Sequence, residues 1–553
     1  MDSQKSINAK IAKKLEEQGI LLSSIAIKDY PDETIVVVEV DAEHATATQA
    51  LTSEFDQIIE AAGLRGFATV RSRPNSTAQN KTTNQTNRVV GLSTLKGDQA
   101  LELIQVLESR ARTSEAGPAF DYIPDATYNV TSAQGPRHHL IFGRRGAGKT
   151  AMLLEARRRI GAQGDFSIWL NIQTRRNQSS QKIFSAACIQ IADLAKREIE
   201  TSRSSSGALQ QVQKLRNAAE SANEDLTVEL NTTLKYIYDT LGRRFYIFLD
   251  DLHYLKRNQQ PELLELFHAG SRDANCWLKI ATIKHLSRWY NPQKQQGLQL
   301  GHDAASLDLD LTLQNPGEAK SFLERMLSAH AHSVNINRLT NVFSLEALDR
   351  LVFAAGAVPR DYMMLSSATV KKARGRPQAR TVGVEDVNRA AGAAAQSKIT
   401  ELEDDAASAG NEKAEVLIAL EKITKFCTED QQQTFFRIDF SDKENHPVEY
   451  GLLQALLDLR LIHLVSSSVS EPHEAGRKAE AFTMDLSRYT GDRLKKGLKV
   501  LDFVGGVLVQ KTTGTTQKPK RGDTSRNLTA ILRVSPLFEL ASLSSRKRPV
   551  HKR

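Results

Sequence analysis

The chain has little cysteine: Cys188, Cys276 and Cys427 are the only three in 553 residues, and they lie far apart. That number and spacing exclude a disulfide framework and a cysteine metal centre, and they fit a reducing compartment. No uninterrupted run of about 18 apolar residues occurs, so no membrane-spanning helix is expected. The first stretch, MDSQKSINAKIAKKLEEQG, is charged throughout and lacks the apolar centre of a secretory signal. A cytoplasmic location is therefore the expectation. No self-similarity at a period of about 20–50 residues is visible, which excludes a solenoid or propeller. With 40% hydrophobic and 25% charged residues the composition is that of a globular protein. The length predicts about three or four domains.

Charge is unevenly spread. Eleven Lys or Arg lie between Lys511 and Arg553 against only Asp523 and Glu539, so the net charge of +9 is concentrated at this end. Such a segment either contacts nucleic acid or another acidic surface, or is a solvated terminus.

Patterning divides the chain further. Residues 1–73 read as a small α/β accessory unit: Ile7, Ile11 and Leu15 at helical spacing, two β-rich runs, a helix near 51–59 and the strand GFATVRS. Residues 74–88 (PNSTAQNKTTNQTNR) read as a flexible linker, and 89–137 as a helical lead-in. From 138 to 315, short apolar runs alternate with amphipathic helices, which is the pattern of a parallel sheet flanked by helices. The strands expected there are 139–142, 166–172, 244–250, 277–283 and 306–311, with a polar stretch before 244. A helical lid follows over 316–400. Residues 410–503 give helix, strand, helix and a two-stranded ribbon, the order of a winged helix, and 504–553 form the basic tail.

Two motifs carry chemistry. Gly143-Arg144-Arg145-Gly146-Ala147-Gly148-Lys149-Thr150 matches G-x-x-x-x-G-K-[ST] in full, between an apolar strand and a helix. Its glycines let backbone N–H groups wind around phosphates, Lys149 supplies a cation, and the Thr150 hydroxyl can ligate Mg²⁺. The following helix begins at the anion and adds its positive end. These eight residues are the expected cofactor-binding set for ATP. The second motif, FYIFLDD, ends a buried strand in Asp250 and Asp251. Asp250 is expected to organise the metal with Thr150, and Asp251 to position or polarise the attacking water. At the end of WLKIATI, Thr282 is the first choice for a group touching the γ-phosphate and Lys284 the second. Arg288 is a candidate finger for a neighbouring subunit, with Arg272 as its rival. Arg360, in GAVPRDYMM, opens a lid helix from which it could reach the γ-phosphate.

The order of phosphate loop, DD-ending strand, polar strand end and G-x-x-P-R helix resembles AAA+ and STAND-type ATPases. It is most similar to the branch of origin-recognition and Cdc6-type initiators, over roughly 110–500. The resemblance implies an α/β fold: a P-loop NTPase parallel sheet core with helical lid, C-terminal winged-helix domain and small N-terminal α/β unit. It also implies Mg²⁺-dependent ATP hydrolysis that switches conformation or drives homo-oligomer assembly, a sensing role for Arg360, and duplex DNA as partner. Lys149 and Asp250 stand 101 positions apart, which is long for the family and implies an insertion near 175–235. The second acid is aspartate rather than the glutamate that many hydrolysing members use.

For DNA, the winged region offers Arg460, His463, Arg477, Lys478 and Arg488. R-G-R-P at 374–377 resembles an AT-hook core, although a basic interhelical loop is the favoured reading. Winged helices also mediate protein contacts. Two rivals stay open: a nucleotide-gated scaffold with little turnover, and a DNA-binding regulator in which ATP is secondary.

Overall fold

The computed structural model describes residues 2–20, 22–29, 34–41, 44, 47–48, 51–64, 66–73, 94–111, 113, 122–124, 129–201, 206–221, 225–407, 412–471, 476–490, 495–514 and 525–543. The stretch 74–88, expected to be a linker, lies outside them. The chain divides into two compact units, Met1–Val90 and Gly91–Arg553.

The first unit comprises α1 (Asp2–Glu17), β1 (Leu22–Asp29), β2 (Thr34–Asp41), α2 (Thr52–Ala61) and β3 (Gly66–Arg73). Central β2 runs antiparallel to β1 and parallel to β3. Ile7, Ile11 and Leu15 form one helical stripe, and alternate β2 residues Val36, Val38 and Val40 meet it in a single core with Phe55 and Ile59.

The second unit opens with α3 (Asp98–Arg110), α4 (Asn129–Gln134) and β4 (His138–Phe142). There follow α5 (Lys149–Ala162), β5 (Phe166–Asn171), α6 (Ser180–Thr201), α7 (Ser206–Glu220) and α8 (Leu226–Leu241). Next come β6 (Phe245–Asp250), α9 (Gln260–Ser271), β7 (Cys276–Thr282), the short pair β8 (Tyr290–Asn291) and β9 (Gln296–Gly297), and β10 (Ala304–Asp308). Five of these strands make one parallel sheet in the order β10-β4-β7-β6-β5. Thus β7 separates β4, which feeds the phosphate loop, from β6, which ends in Asp250. The sheet is covered on both sides, as parallel sheets require. Phe245, Ile247 and Leu249 of β6 face Phe184, Ile191, Leu230 and Phe267, while Tyr246 and Phe248 face Met152, Ala156 and Ile160 of α5. Buried Lys279 ties the sheet to the end of α4, its Nζ donating to Gly135 O at 2.7 Å and Arg137 O at 2.8 Å.

Two details differ from the sequence reading. The polar stretch before 244 holds α7 and α8, whose apolar residues, Val212, Leu215, Leu230 and Leu234 among them, form a buried stripe. The last strand stops at Asp308, because Asp310 turns back to accept a hydrogen bond from Arg144 N at 2.7 Å.

The lid consists of α10 (Pro316–Ser333), α11 (Leu345–Ala354), α12 (Pro359–Arg374) and α13 (Val384–Ala407). Then come α14 (Glu412–Lys425), β11 (Phe435–Asp439), α15 (Phe440–Asn445), α16 (Pro447–Asp458), β12 (Ile462–Ser470) and β13 (Lys478–Met484), the strands pairing antiparallel in the order β11-β13-β12. The expected basic tail is partly folded. A hairpin of β14 (Lys499–Val504) and β15 (Val507–Thr512) straddles the boundary placed at 503/504, and α17 (Ser525–Arg533) follows. Leu501, Phe503, Leu508, Leu532, Phe538, Leu540 and Leu543 join the same core as the lid residues Leu351 and Phe353. Lys511 is paired with Asp502 at 2.5 Å, and Asp349 accepts from Gly505 N at 2.7 Å. The tail cations Lys518, Lys520, Arg521, Arg546, Lys547, Arg548, Lys552 and Arg553 lie outside the described residues. Among the described residues no helix is long and apolar enough to cross a membrane.

Candidate nucleotide site

A cavity of about 530 Å³ opens at the carboxyl end of the sheet, where the phosphate loop, Asp251 and the first turn of α12 converge. Gly146 and Gly148 adopt φ of 81° and 95°, values that glycine reaches without Cβ strain. Space at Gly146 is also short: a Cβ there would lie 2.8 Å from the Arg360 Cβ. Arg360 N donates to Gly146 O at 3.2 Å, so the lid closes directly on the loop.

Lys149 opens α5. Its Nζ donates to Gly143 O at 2.7 Å and Arg144 O at 3.1 Å. Burial pushes its ammonium below the ordinary range, against the pull of Asp251, Asp310 and Asp250. Thr150 Oγ1 donates to Asp250 Oδ2 at 2.9 Å, while Asp250 Oδ1 is buried without a hydrogen-bond partner. A hydroxyl and a carboxylate with an orphaned oxygen are the hard oxygen donors that Mg²⁺ takes, so the residues present fit that ion. Burial first, and then the Asp251 charge, raise the Asp250 carboxyl above its usual range. A divalent cation would reverse both effects. Asp251 has φ 61°, a left-handed conformation that costs a non-glycine residue energy and recurs at functional sites. The turn directs the chain off the strand end, and Asp251 lines the cavity.

The sequence reading missed His253. It lines the same wall, and its Nδ1 is buried without a hydrogen-bond partner. Burial, Lys149 and Arg145 hold its imidazole well below the usual histidine range, and so neutral. The available signal was its place three residues past the metal-organising aspartate. Part of the remaining wall is apolar, with Ile123, Phe322, Met326 and Met363.

Of the expected residues, Arg145, Gly146, Ala147, Gly148, Lys149, Thr150, Asp251 and Arg360 reach the cavity wall. Others do not. Gly143 lies behind the loop. Arg144 is a brace rather than a ligand-binding group: it is 7% exposed, and its Nη2 donates to Leu311 O at 2.5 Å and Gly356 O at 3.3 Å. Thr282 is fully buried and its hydroxyl is hydrogen-bonded to Ser287 Oγ, so it does not face the cavity. Lys284 is exposed, with Nζ over the Phe142 ring. Arg288 donates from Nη2 to Asn291 Oδ1 at 3.2 Å. Arg272 follows α9 just before β7 begins, at the amino end of the sheet, opposite the phosphate loop.

The residues nominated for DNA separate in the same way. Arg460 and His463 are 1% and 2% exposed. Arg460 Nη1 donates to Asp361 Oδ1 at 2.6 Å, and His463 Nε2 lies 2.8 Å from Asp485 Oδ2, which also accepts from Lys398 Nζ at 2.8 Å. They join the C-terminal strands to the lid, so they are not surface contacts. Arg488 is partly buried. Arg477 is paired with Asp439 at 2.5 Å and Lys478 is exposed. Lys371–Arg374 are the last turn of α12, and only the residues after them form the interhelical loop: Lys371 pairs with Glu108, Arg374 donates to Leu95 O at 2.6 Å, and Arg376 grips Asp386 at 2.9 and 2.5 Å. Those basic groups are satisfied internally, which argues against an AT-hook.

Residues 124–278 match the family model of the AAA ATPase domain. This segment is similar to an AAA ATPase domain. The phosphate loop and the acid pair fall inside the match, which ends within β7. No curated protein matches the chain by sequence. The fold is similar to that of the Aeropyrum pernix Orc1 protein in complex with DNA, at 16% identity over 69% of this chain and 93% of that one, TM-score 0.36. It is also similar to Cdc6p from Pyrobaculum aerophilum (14% identity, 73% and 93%, TM-score 0.31). AMPPCP-bound DnaA from Aquifex aeolicus is a further likeness (14% identity, 56% and 81%, TM-score 0.28).

Proposed function

We propose that this chain is a cytoplasmic, Mg²⁺-dependent ATPase that uses the nucleotide state to change conformation or assembly and acts on or near duplex DNA. The observation that carries the reading is the Thr150–Asp250 hydrogen bond across the sheet beside Asp251. It brings the two halves of a nucleotide–metal site together although 99 residues separate them in sequence. Loop amides and Lys149 hold the phosphates, and Thr150 and Asp250 hold the metal, which would screen phosphate charge and orient the β- and γ-oxygens. Asp251 orients the water, and Arg360 ties the γ-phosphate end to the lid.

The order α14-β11-α15-α16-β12-β13, with its β11-β13-β12 sheet, supports a winged helix. Yet α16 (PVEYGLLQALLD) carries no Lys or Arg. DNA contact is therefore assigned to Arg477 and Lys478 on the β12–β13 ribbon and to the basic C-terminal residues.

The test is binding of a fluorescent ATP analogue together with steady-state phosphate release. Asp251→Ala should keep nucleotide affinity and abolish release. Equal release by Asp251→Ala and the unaltered chain would remove the hydrolytic part. A second reading, a nucleotide-gated scaffold, is favoured by the buried Asp361–Arg460 join one residue from Arg360; wild-type binding without release would select it.

A further inference from the structure

Beneath the phosphate loop, buried side chains join the nucleotide cavity to the C-terminal strands, and Arg144 stands at the centre of that join. Its backbone belongs to the loop: its N donates to Asp310 Oδ1 at 2.7 Å, and its O accepts from Lys149 Nζ at 3.1 Å. Its side chain is buried and donates from Nη2 to Leu311 O at 2.5 Å and to Gly356 O at 3.3 Å. Gly356, between α11 and α12, is also held by the C-terminal strands. It has φ 55°, and a Cβ there would overlap the His463 ring of β12. His463 Nε2 in turn lies 2.8 Å from Asp485 Oδ2, which accepts from Lys398 Nζ of α13 at 2.8 Å. Consecutive contacts thus lead from a loop carbonyl to the interior of the C-terminal region.

The loop end of this series has to change when phosphates are gripped. An ammonium carries three N–H groups, and Lys149 has two of them engaged with Gly143 O and Arg144 O. Bridging a β- and a γ-oxygen takes two, so at least one carbonyl is released. The Arg144 carbonyl has the longer bond, 3.1 Å against 2.7 Å, and is the weaker competitor. A buried backbone acceptor that loses its partner turns toward another. The peptide that turns carries the Arg144 side chain, and with it the contact to Gly356.

We propose that Arg144 is a transmission residue: nucleotide at the phosphate loop alters the packing of Gly356 on His463, and so the state of the C-terminal strands. This rests on the nucleotide-binding part of the reading above and not on hydrolysis. The two states differ first in one bond, from Lys149 to the Arg144 carbonyl or to phosphate. The packed contacts beyond it pass that difference on. By linkage the effect is reciprocal, so a change at His463 alters nucleotide affinity. The Asp361–Arg460 join offers a second route through α12, and the variants below leave its residues unchanged.

The experiment uses the full chain with AMPPCP and Mg²⁺, and follows amide hydrogen exchange in peptides from the phosphate loop and from β12. In the unaltered chain, saturating AMPPCP should change exchange in both by at least about threefold. Arg144→Met should respond at the loop, while β12 stays within about 1.5-fold of its rate without nucleotide. Arg144→Lys keeps a cation beside Asp310 but lacks the fork that reaches two carbonyls. It should behave in the same way, and it decides the matter if the methionine variant does not fold. In binding of a fluorescent ATP analogue, His463→Gln should shift affinity at least about fivefold in the unaltered chain and less than about twofold beside Arg144→Lys. The proposal is overturned if β12 ignores AMPPCP in the unaltered chain, or if a folded Arg144 variant keeps the β12 response. An equal His463→Gln shift in both backgrounds also overturns it. In each of these cases nucleotide binding stands. A chain whose loop ignores AMPPCP and which binds no ATP analogue overturns this proposal and the ATPase reading together.

Discussion

The phosphate loop and the C-terminal strands are both rich in basic groups, and the two regions use them in opposite ways. In the loop, Arg145 and Lys149 are built into the cavity wall by eight consecutive residues whose conformation is set locally. In the C-terminal region, Arg460 and His463 point inward and are consumed by Asp361 and Asp485 from other elements. A basic side chain in a short-range motif therefore announced its place at the cavity, whereas the same residue type on a strand or a helix end did not. Arg144 shows the division within the motif itself, because its place in the pattern leaves its side chain unspecified.

Substitutions can break this comparison. The largest effect is expected at the loop: Lys149→Ala should abolish phosphate release and weaken nucleotide binding by about 10- to 100-fold, the loss of a charge-assisted contact. Normal binding by this variant would dissolve the distinction. Next, Arg460→Ala should lower stability by about 3–5 kcal/mol in urea unfolding, because it strands Asp361 in the interior. Arg460→Met should cost clearly less, and a neutral Arg460→Ala would return that arginine to the surface.

Acid should act on the same join. Burial would raise the Asp485 carboxyl, but Lys398 and His463 outweigh it and hold the group below the carboxylate range. Burial also lowers the His463 imidazole, against the pull of Asp485, with Lys398 and Arg144 adding to the lowering. For both groups the folded value lies below the unfolded one. Their contribution is thus complete above about pH 6.5 and is lost as pH falls through the histidine range and then the carboxylate range. The unfolding midpoint should drop from pH 7 to pH 4, and His463→Gln should flatten the upper part of that slope. The smallest effect is expected on the ribbon: Lys478→Ala should reduce the salt slope of duplex binding by about one, while changes on exposed α16 positions leave it unaltered.

Much of the nucleotide domain was legible because buried parallel strands read as short apolar runs, and 166–172, 244–250 and 277–283 lie within a residue or so of β5, β6 and β7. The loop and the acid pair were legible because their chemistry demands fixed residue types. Thr282 was misassigned because a polar strand end looks alike whether it faces a ligand or a neighbour such as Ser287. Helix α7 escaped because its buried stripe is diluted by Ser and Gln. The burial of Arg460 depends on Asp361, nearly a hundred residues away, and no local pattern records that.

The hairpin β14–β15 and the residues up to Leu543 change how the chain's cationic end should be probed. A truncation at 510 would take away part of a strand and the apolar anchors Leu532, Phe538, Leu540 and Leu543 along with the lysines. Any loss of DNA affinity in such a fragment would report an opened interior. Trimming that begins after Leu543, or exchange of Lys518, Lys520 and Arg521 for glutamine, removes positive charge and keeps those four anchors.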